Sequence, residues 1–349
     1  MPMRHLKMRL TSLIKAVLFY GGFFALLRLL FPNRRAALLR YHAVVDPADN
    51  LYTSPSISLP VRAFERHVRY FARKYRVLSL DHVVEAVLDG RPLPKNAVVF
   101  TFDDGYADNL IAARILKKYG ATGIFYLTTD CIDRRETLWL AEVNYLLARS
   151  AQPVFRLELE GTTREFALRT PREREQAKRA VIKIIKSNDR RVRETVRQQL
   201  RAQLATADWP AVADRIMLTW EQVREMLALG MSIGGHTVSH LNLPNAAPED
   251  ARREIAGCKH KLEAVLNLPI RHFSVPNSGP YRYYNAQVKR MVGECGFVSS
   301  VTSAHGFVDG DSDLLELRRI RTIPALHEVV ATIELGKFSR NGGESPAAE

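Results

Sequence analysis

The sequence predicts an α/β fold in which a parallel sheet is wrapped by helices. Short runs of β-branched and aromatic residues recur along the chain, as in AVVFTF at 97–102 and GIFYLTT at 123–129, and segments with helical spacing of apolar residues separate them. These runs are apolar throughout, which is typical of strands buried on both faces. Repeated β-α units of this kind form either an open sheet or a closed barrel.

The first half of the chain supplies four predicted strands and three predicted helices. The strands are AALLRYH (36–42), RVLSL (76–80), AVVFTF (97–102) and GIFYLTT (123–129). The helices are one that Pro60 opens, with Val61, Phe64, Val68 and Phe71 at helical spacing, one from Asp81 that Gly90 ends, and NLIAARILKKYG (109–120).

The same alternation returns near the end of the chain. The predicted strands there are MSIGG (231–235), HFSVP (272–276), FVSSV (297–301) and LRRIRTI (317–323). The predicted helices run from Pro248 to Leu266 and from Asn285 to Cys295.

Between residues 131 and 217 the alternation is interrupted. VFRLELEGTTREFAL (154–168) predicts a hairpin, and the basic stretch 171–204 predicts a helix or a helical pair. Residues 161–217 contain 14 Lys and Arg against 7 Asp and Glu. This charge is either a solvated face or a surface for anionic lipid headgroups or a lipid-phosphate substrate. Nucleic acid is disfavoured, because no aromatic-rich or glycine-rich recognition motif accompanies the charge.

The N-terminal segment is expected to attach the protein to a membrane. An apolar run from Leu13 to Phe31 is broken only by Lys15 and Arg28, and it can span a bilayer if both cations reach the headgroups. An interfacial helix and a cleaved signal peptide are the alternatives, although no small-x-small cleavage site follows. Basic residues flank both sides of the run, so they do not predict which face of the membrane carries the domain. The expected location is a bacterial inner membrane.

Composition and length set the domain organisation. The chain has 349 residues, a net charge of +14 and a pI near 9.8, which suits anionic membranes, phosphate-bearing substrates or nucleic acid. Three cysteines without CxxC spacing argue against a disulfide framework or a structural zinc cluster. We expect a membrane segment at 1–33, a catalytic domain at 34–339 with an insertion at about 131–217, and a disordered tail at 340–349.

Two adjacent carboxylates follow the third predicted strand. Asp103 and Asp104 precede Gly105 in TFDDGY, although like charges repel and Asp is a poor strand residue. A single Asp-Gly would be enough for a turn. The pair therefore indicates that one carboxylate holds a metal ion while the other handles a proton, provided that the chain supplies further ligands.

Candidate ligands follow another predicted strand, in GGHTVSH. His236 and His240 are four residues apart, a spacing that on a helical turn would place both imidazoles on one face. Two imidazoles and one carboxylate form the three-residue ligand set of a catalytic zinc site. Because the loops at the carboxyl ends of parallel strands share one face, we expect the two segments to meet there.

The combination of TFDDGY with HTVSH resembles the NodB-homology polysaccharide deacetylases of carbohydrate esterase family four. These are metal-dependent carbohydrate N-deacylases with a distorted, seven-stranded (β/α) barrel. LLRYHAV, NAVVFTFDDGYADN, LTWEQVREMLALGMSIGGHTVSH and HFSVP follow in that family's order and cover most of residues 36–325. The insertion resembles members linked to exopolysaccharide or lipid-linked glycan pathways.

The resemblance implies a role for each residue of the two motifs. Asp104, His236 and His240 would hold a divalent metal, zinc in the first instance with cobalt or manganese as alternatives. Asp103 would be the general base. A metal polarises an amide carbonyl and lowers the pKa of water, and a second carboxylate must then take the proton.

The chain also departs from the family's pattern. In the motif that usually reads Arg-x-x-Pro-Tyr, Phe273 takes the Arg position and Asn277 follows the Pro. The backbone N–H of Asn277 could still serve the oxyanion, with Tyr106 as a further residue of the pocket. The missing guanidinium could come from Arg318, Arg319 or Arg321.

The family's late Leu-x-His motif, which supplies a general acid, has no clear counterpart, since His327 in ALHE matches it poorly. His42, at the end of the first predicted strand, is the candidate acid, with a buried structural histidine as the alternative.

The expected function is removal of an N-acetyl group from an amino sugar of a polysaccharide or lipid-linked glycan, such as a polyprenyl-phosphate-linked sugar. A deformylase or O-deacetylase with the same metal site is one alternative. A non-catalytic glycan-binding or assembly component is the other, favoured by the missing Arg and the uncertain His.

Overall fold

A ring of parallel strands forms the centre of the fold in this computed structural model, which describes residues 2–50, 52–134, 136–277 and 283–339. The expected tail at 340–349 lies outside the described residues. The strands are β1 (Ala37–Tyr41), β2 (Ala43–Val44), β3 (Ser58–Leu59), β4 (Arg76–Val77), β5 (Ala97–Phe102), β6 (Gly123–Leu127), β7 (Val154–Leu159), β8 (Thr162–Ala167), β9 (Ser232–Gly235), β10 (His272–Ser274), β11 (Ser299–His305) and β12 (Leu317–Arg321).

Helices surround this ring and precede it. They are α1 (Pro2–Tyr20), α2 (Phe23–Leu30), α3 (Val61–Lys74), α4 (Leu80–Leu88), α5 (Asn109–Lys118), α6 (Thr129–Asp133), α7 (Trp139–Arg149), α8 (Pro171–Lys186), α9 (Arg190–Leu204), α10 (Trp209–Ile216), α11 (Trp220–Ala228), α12 (Pro248–Leu266), α13 (Ala286–Glu294) and α14 (Leu326–Gly336).

The pairing of β1 with β5 closes the sheet into a barrel. The order around the ring is β1-β12-β11-β10-β9-β6-β5, and β1 then pairs in parallel with β5 from Ala37↔Val98 to Tyr41↔Phe102. The short strand β4 pairs with the free side of β5 and adds an eighth member outside the ring. The structure thus confirms the seven-stranded (β/α) barrel, with all catalytic candidates from strand ends at one edge.

An aromatic layer covers one part of the barrel, where β1, β5 and β6 pack against α3. Phe102 stacks on Phe125 of the next strand with ring centroids 4.3 Å apart, and Tyr41 stacks on Phe102 at 5.3 Å. Phe64 of α3 meets the same layer edge-on. The alternate residues of the strands, such as Val99, belong to a second apolar cluster with α4. The period-two alternation therefore places successive residues of a strand in two different apolar clusters.

Two predicted elements differ most from the structure. In RVLSL only Arg76 and Val77 form a strand, because the Ser79 side chain accepts a hydrogen bond from the His82 amide and α4 begins at Leu80. The expected membrane helix is also not one helix. No single helix among the described residues is long and apolar enough to cross a bilayer; α1 and α2 pass that test only together, and they are bent by 66° at Gly21-Gly22.

The insertion forms its own layer with its own apolar core. The predicted hairpin is present as β7 and β8, and the basic stretch is a helical pair, α8 and α9. Thr170 and Glu173 form a capping box that starts α8, and Asp189 caps α9. Val181, Val196 and Leu200 pack with α7 in a cluster separate from that of the barrel. The domain boundaries themselves stay predictions.

Position 234 in β9 requires glycine because neighbouring atoms leave no room for a side chain, and not because of its backbone angles. A Cβ at this position would lie 2.5 Å from Cδ1 of Tyr126 and 2.8 Å from the His272 carbonyl oxygen. Backbone and a buried ring cannot both retreat, so a methyl group there would strain the neighbouring strands.

We expect Gly234→Ala to lower the free energy of unfolding by about 1–3 kcal/mol, measured by urea denaturation. Gly310→Ala is the matched control, since a Cβ there meets nothing within 4 Å. Equal stability of the two variants would contradict this account of β9.

Candidate active site

The two carboxylates lie at the carboxyl end of β5, where the chain turns back sharply. Asp104 has a φ of 81° and Gly105 one of 83°, so two successive residues occupy the left-handed region. For a non-glycine residue this conformation costs energy and is retained only where surrounding contacts fix it. The turn sends the two aspartate side chains to different partners.

Asp104 meets the two histidines of the HTVSH segment. Its Oδ1 lies 3.3 Å from Nε2 of His236 and 3.4 Å from Nε2 of His240. One ligand atom from each of the three buried residues lies within 4.8 Å of the others, so the group could hold a metal ion. The sequence-predicted ligand set is therefore brought together by the fold.

The histidines reach this geometry in a loop and not on a helical turn, so the expected helical turn is wrong. Thr237 and His240 have φ values of 65° and 56°, which no helix contains. The loop is fixed by the hydrogen bond from the His240 amide to the Thr237 hydroxyl at 2.9 Å. The ring centroids of His236 and His240 still lie 5.0 Å apart. The four-residue spacing therefore predicted correctly that the two imidazoles are neighbours, but the helical turn on which the prediction rested is absent from this segment.

The orientation of His236 fits a metal ligand. Its Nδ1 lies 2.7 Å from the Ser274 carbonyl oxygen, and because a carbonyl only accepts, Nδ1 carries the proton. In the neutral ring Nε2 then presents a lone pair to the Asp104 carboxylate, which is repulsive unless a cation lies between them. A hydrogen bond at the distal nitrogen is the usual support of a ligating imidazole.

Burial and charge act in opposite directions on these groups. Burial alone would raise the pKa of Asp104, but the two imidazoles hold it well below its usual range. Burial lowers the pKa of His240, whereas for His236 the two aspartates outweigh burial and raise the pKa. The carboxylate is therefore ionised, as a metal ligand must be.

Asp103 is paired with Arg319 across the interior of the barrel. Nη1 of Arg319 donates to Oδ1 at 2.8 Å and Nη2 to Oδ2 at 2.7 Å, a bidentate pair in which both side chains are almost completely buried. Burial alone would raise the pKa of Asp103, but the guanidinium outweighs it and holds the pKa well below the usual range. Among the three expected arginines, Arg319 thus supplies the guanidinium that the Pro motif lacks.

Ser274 links the two halves of the site, and sequence reasoning missed it. Its hydroxyl donates to Oδ1 of Asp103 at 3.0 Å, while its carbonyl holds His236. It is the last residue of β10, in FSVP. Its place at a strand end beside the Pro motif was the available signal.

His42 lies on the wall of the cavity rather than in the apolar core. Its Nε2 is 3.7 Å from Oδ2 of Asp103, and its side chain keeps 19% of its surface exposed. Burial lowers the pKa of His42 to about 4 despite the nearby aspartates. The resting imidazole is therefore neutral, next to the carboxylate proposed to collect a proton.

Of the other two predicted site residues, Asn277 lines the cavity and Tyr106 does not. Asn277 lines the cavity with a φ of 74°; its carbonyl accepts from Ser303, and within the described residues neither atom of its side-chain amide has a partner. Tyr106 does not line the cavity. Its ring is completely buried against Tyr52, and its backbone pairs with Met217 of the insertion. The expected substrate contact by Tyr106 is corrected to a structural role.

The insertion forms part of the site. The cavity has a volume of about 240 Å³ and is lined by both aspartates and both histidines, with Leu140, Asn144, Ile182 and Lys186 from the insertion and Arg40 from β1. Burial lowers the pKa of Arg40 to about 10 and that of Lys186 to about 8. Both side chains are therefore predominantly cationic at neutral pH.

The insertion also holds the histidine loop from behind. Trp139 Nε1 donates to the His240 carbonyl at 3.2 Å, and the Arg193 guanidinium donates to the carbonyl and the hydroxyl of Ser239 at 2.9 Å. Glu254 of α12 accepts from the amide and the hydroxyl of the same serine. These contacts fix a loop whose backbone angles are otherwise unfavourable.

Comparison with known proteins identifies the fold and the chemistry. The sequence model of the family described as polysaccharide deacetylase matches residues 90–299, from before β5 into β11. The chain belongs to the polysaccharide deacetylase family. It is a hydrolase of the deacetylase type, and this argues against a non-catalytic role. The guanidinium that the Pro motif lacks is supplied by Arg319, so the missing Arg no longer supports that alternative.

A curated relative and solved structures agree with the assignment. YxkH of Bacillus subtilis (strain 168), whose name is a provisional assignment to the polysaccharide deacetylases, is 28% identical over 83% of this chain and 72% of its own. The Streptococcus pyogenes deacetylase PplD in complex with acetate has a TM-score of 0.55 and 21% identity, covering 84% of this chain and 94% of its own. IcaB from Ammonifex degensii has a TM-score of 0.53 and 16% identity, covering 88% and 98%. At these identities the solved structures are similar in fold alone.

We expect Arg319→Gln to move the acid limb of the kcat/KM–pH profile to higher pH. Loss of the guanidinium disfavours the ionised carboxylate, so the pKa of Asp103 rises and the base is protonated over a wider pH range. Activity at neutral pH should fall about 10–100-fold.

Arg318→Gln is the control, because Arg318 lies on the same strand but bonds to the His305 carbonyl instead of Asp103. An acid limb that stays in place in Arg319→Gln would show that the pair does not set the ionisation of the base.

Proposed function

We propose that the deacetylase is a metal-dependent hydrolase that removes an N-acetyl group from an amino sugar of a cell-envelope glycan. The observation that carries this proposal is the buried Asp103–Arg319 pair beside the Asp104, His236 and His240 group, since all four acidic and imidazole side chains line one cavity. A base kept ionised next to three neutral or anionic ligands is the arrangement that amide hydrolysis by an activated water requires.

The donor set favours zinc, with cobalt or manganese as alternatives. Two imidazole nitrogens and one carboxylate oxygen are the ligands of catalytic zinc sites that keep an open position. When bound, the ion supplies a Lewis acid for the amide carbonyl and acidifies a water molecule. All remaining steps are assigned to residues of this chain.

Proton transfer is assigned to Asp103 and His42. Asp103 takes the proton of the attacking water, with both carboxylate oxygens held in place by Arg319 and Ser274. His42, 3.7 Å away and neutral at rest, receives that proton and passes it to the leaving amine. Because burial lowers its pKa to about 4, His42 is neutral in the free protein at neutral pH, and we assign the imidazole the role of a relay.

Asn277 is assigned to the developing oxyanion. It lines the cavity, and among the described residues neither atom of its side-chain amide has a hydrogen-bond partner. A donor that is buried and unpaired in the free protein loses no hydrogen bond when the tetrahedral oxygen arrives.

The substrate is assigned to the anionic, lipid-linked amino sugars. Arg40 and Lys186 place two cations on the cavity wall, one from the barrel and one from the insertion. A phosphate linked to the amino sugar would be attracted to both cations and could accept a charge-assisted hydrogen bond from each, which a neutral oligosaccharide could not. The small cavity fits an acetyl or formyl group; acetyl is the primary assignment.

We expect the purified deacetylase to release acetate from lipid-linked and envelope glycans of its host, detected by proton NMR. Asp103→Asn should lower the rate by about 10²–10⁴-fold, because the variant cannot take the proton.

Metal content separates the roles in the same experiment. Asp103→Asn should retain the ion, measured by inductively coupled plasma mass spectrometry, whereas His236→Gln should lose it. Release of formate instead of acetate would identify the enzyme as a deformylase. Full activity of Asp103→Asn would show that Asp103 is not the base.

Lys186→Gln should raise KM for a phosphate-linked amino sugar about tenfold while leaving KM for a neutral N-acetylglucosamine oligomer unchanged, which corresponds to the loss of one charge-assisted hydrogen bond. Lys183→Gln is the matched control, since it lies on the exposed face of the same helix. Equal effects on both substrates would refute an anion-binding role for Lys186.

A further inference from the structure

Helices α1 and α2 present a continuous apolar surface to solvent. Among the described residues, ten of the fifteen exposed large hydrophobic side chains lie between positions 10 and 31. They are Leu10, Leu13, Ile14, Val17, Tyr20, Phe23, Leu26, Leu29, Leu30 and Phe31. Two more, Leu335 and Phe338, lie at the adjacent end of α14, where Phe338 contacts the Phe31 ring at 5.9 Å. A monomeric soluble protein rarely exposes so large a patch.

The opposite side of the two helices is part of the folded domain. Phe24 is almost completely buried in the main core, and Leu18, Phe19 and Leu27 pack against it. The Arg28 guanidinium lies 4.7 Å above the Tyr75 ring and 3.5 Å from the Glu334 carboxylate, in a nearly buried position. The helices therefore have one face inside the protein and one face outside.

Lys15 and Arg28, the two charges that interrupt the apolar run, point to the domain. Nζ of Lys15 donates to Glu328 at 2.7 Å, in the first turn of α14, while Arg28 meets Glu334 in its last turns. A helix crossing the bilayer would have to break both contacts and withdraw Phe24 from the core. With the 66° bend at Gly21-Gly22, the contacts fix the helices along the side of the domain.

We propose that this surface, formed by the exposed apolar side chains of residues 10–31 with Leu335 and Phe338, docks in the plane of an anionic lipid leaflet. An interfacial helix inserts its apolar face about 5–10 Å, to the level of the headgroups and the first acyl carbons. The protein lies on the membrane through this surface and does not cross it.

Charge complementarity favours lipid over a protein partner. The first 45 residues contain no Asp or Glu, and of their eight Lys and Arg, Lys15, Arg28 and Arg40 contact the domain or line its cavity. Arg9 and Arg34 are exposed at the two ends of the surface. Cations that border an apolar face are the pattern of attachment to anionic lipid.

The docking surface reaches the catalytic edge of the barrel. α14 begins directly after β12, so its first turn lies at the edge from which Asp103 and His236 project, and Lys15 contacts that turn. The surface thus runs along the side of the barrel from the catalytic edge towards the opposite edge. This placement holds whether or not the substrate proposed above is correct.

Flotation with liposomes tests the proposal on the full chain. We expect the wild type to float with vesicles of phosphatidylcholine and phosphatidylglycerol, and less with phosphatidylcholine alone. Leu13→Gln with Val17→Gln should weaken binding at least tenfold, since both side chains are more than half exposed on the outer face. Leu88→Gln, equally exposed at the end of α4, is the matched control and should bind like the wild type.

Folding of each variant is checked by its thermal midpoint, which should not change because no buried contact is altered. Wild-type vesicle binding by the double variant overturns the proposal. So does a lipid-free dimer, measured by light scattering, that the same two substitutions convert to monomer, because the surface would then bind a second copy of the chain.

Cross-linking distinguishes an in-plane helix from a spanning one. Lys15→Cys with Glu328→Cys, in a Cys295→Ser background, should react with a short bis-maleimide to the same extent in vesicles as in detergent. Cys131 and Cys258 are buried and should remain unreactive. Loss of the cross-link on vesicle binding would show that α1 leaves the domain, and would overturn in-plane docking.

Discussion

The ion pair between Arg319 and Asp103 is the contact on which the rest of the site depends. It joins β12 to β5, two strands that are not neighbours, since β1 lies between them. The guanidinium also donates to the Thr302 carbonyl and the Thr101 hydroxyl, so its position is set by three strands. An arginine enclosed in this way has no route to water, and without the carboxylate it would be a buried charge at a cost of several kcal/mol. The position and the ionisation of Asp103 therefore depend on the closed barrel.

The sequence predicted the barrel well wherever a run of apolar residues was uninterrupted and clearly bounded. β5 and α12 agree at every residue, and the Asp-Asp and His-x-x-x-His motifs meet as expected. Arg319 could not be chosen from three candidates, because the direction of a side chain on β12 depends on its register with β1 and β11. The loop angles of Thr237 and His240 depend on contacts from the insertion and α12, which no local pattern encodes.

Two signals in the sequence were present but outweighed by stronger patterns. Gly21-Gly22 marks a break in the apolar N-terminal run, yet the length and composition of the run favoured one spanning helix. Tyr106 follows the motif directly and was therefore placed in the pocket, whereas the left-handed turn at Asp104 and Gly105 sends its ring into the core of the insertion. In both cases the backbone conformation, and not the neighbouring residues in the sequence, determined where the side chains lie.

The closing position of β1 has a consequence for how the enzyme is made. β1 pairs with β5 soon after both are synthesised, but its other neighbour, β12, comes close to the end of the chain, and Arg319 is 216 residues away from its aspartate. Contacts between residues so far apart in the sequence form late, and they make folding slower. A nascent chain therefore carries Asp103, the carboxylate that we propose as the base, without its cation through most of synthesis, and an incomplete chain cannot form the pair. Catalytic competence is in this way postponed until translation has almost finished.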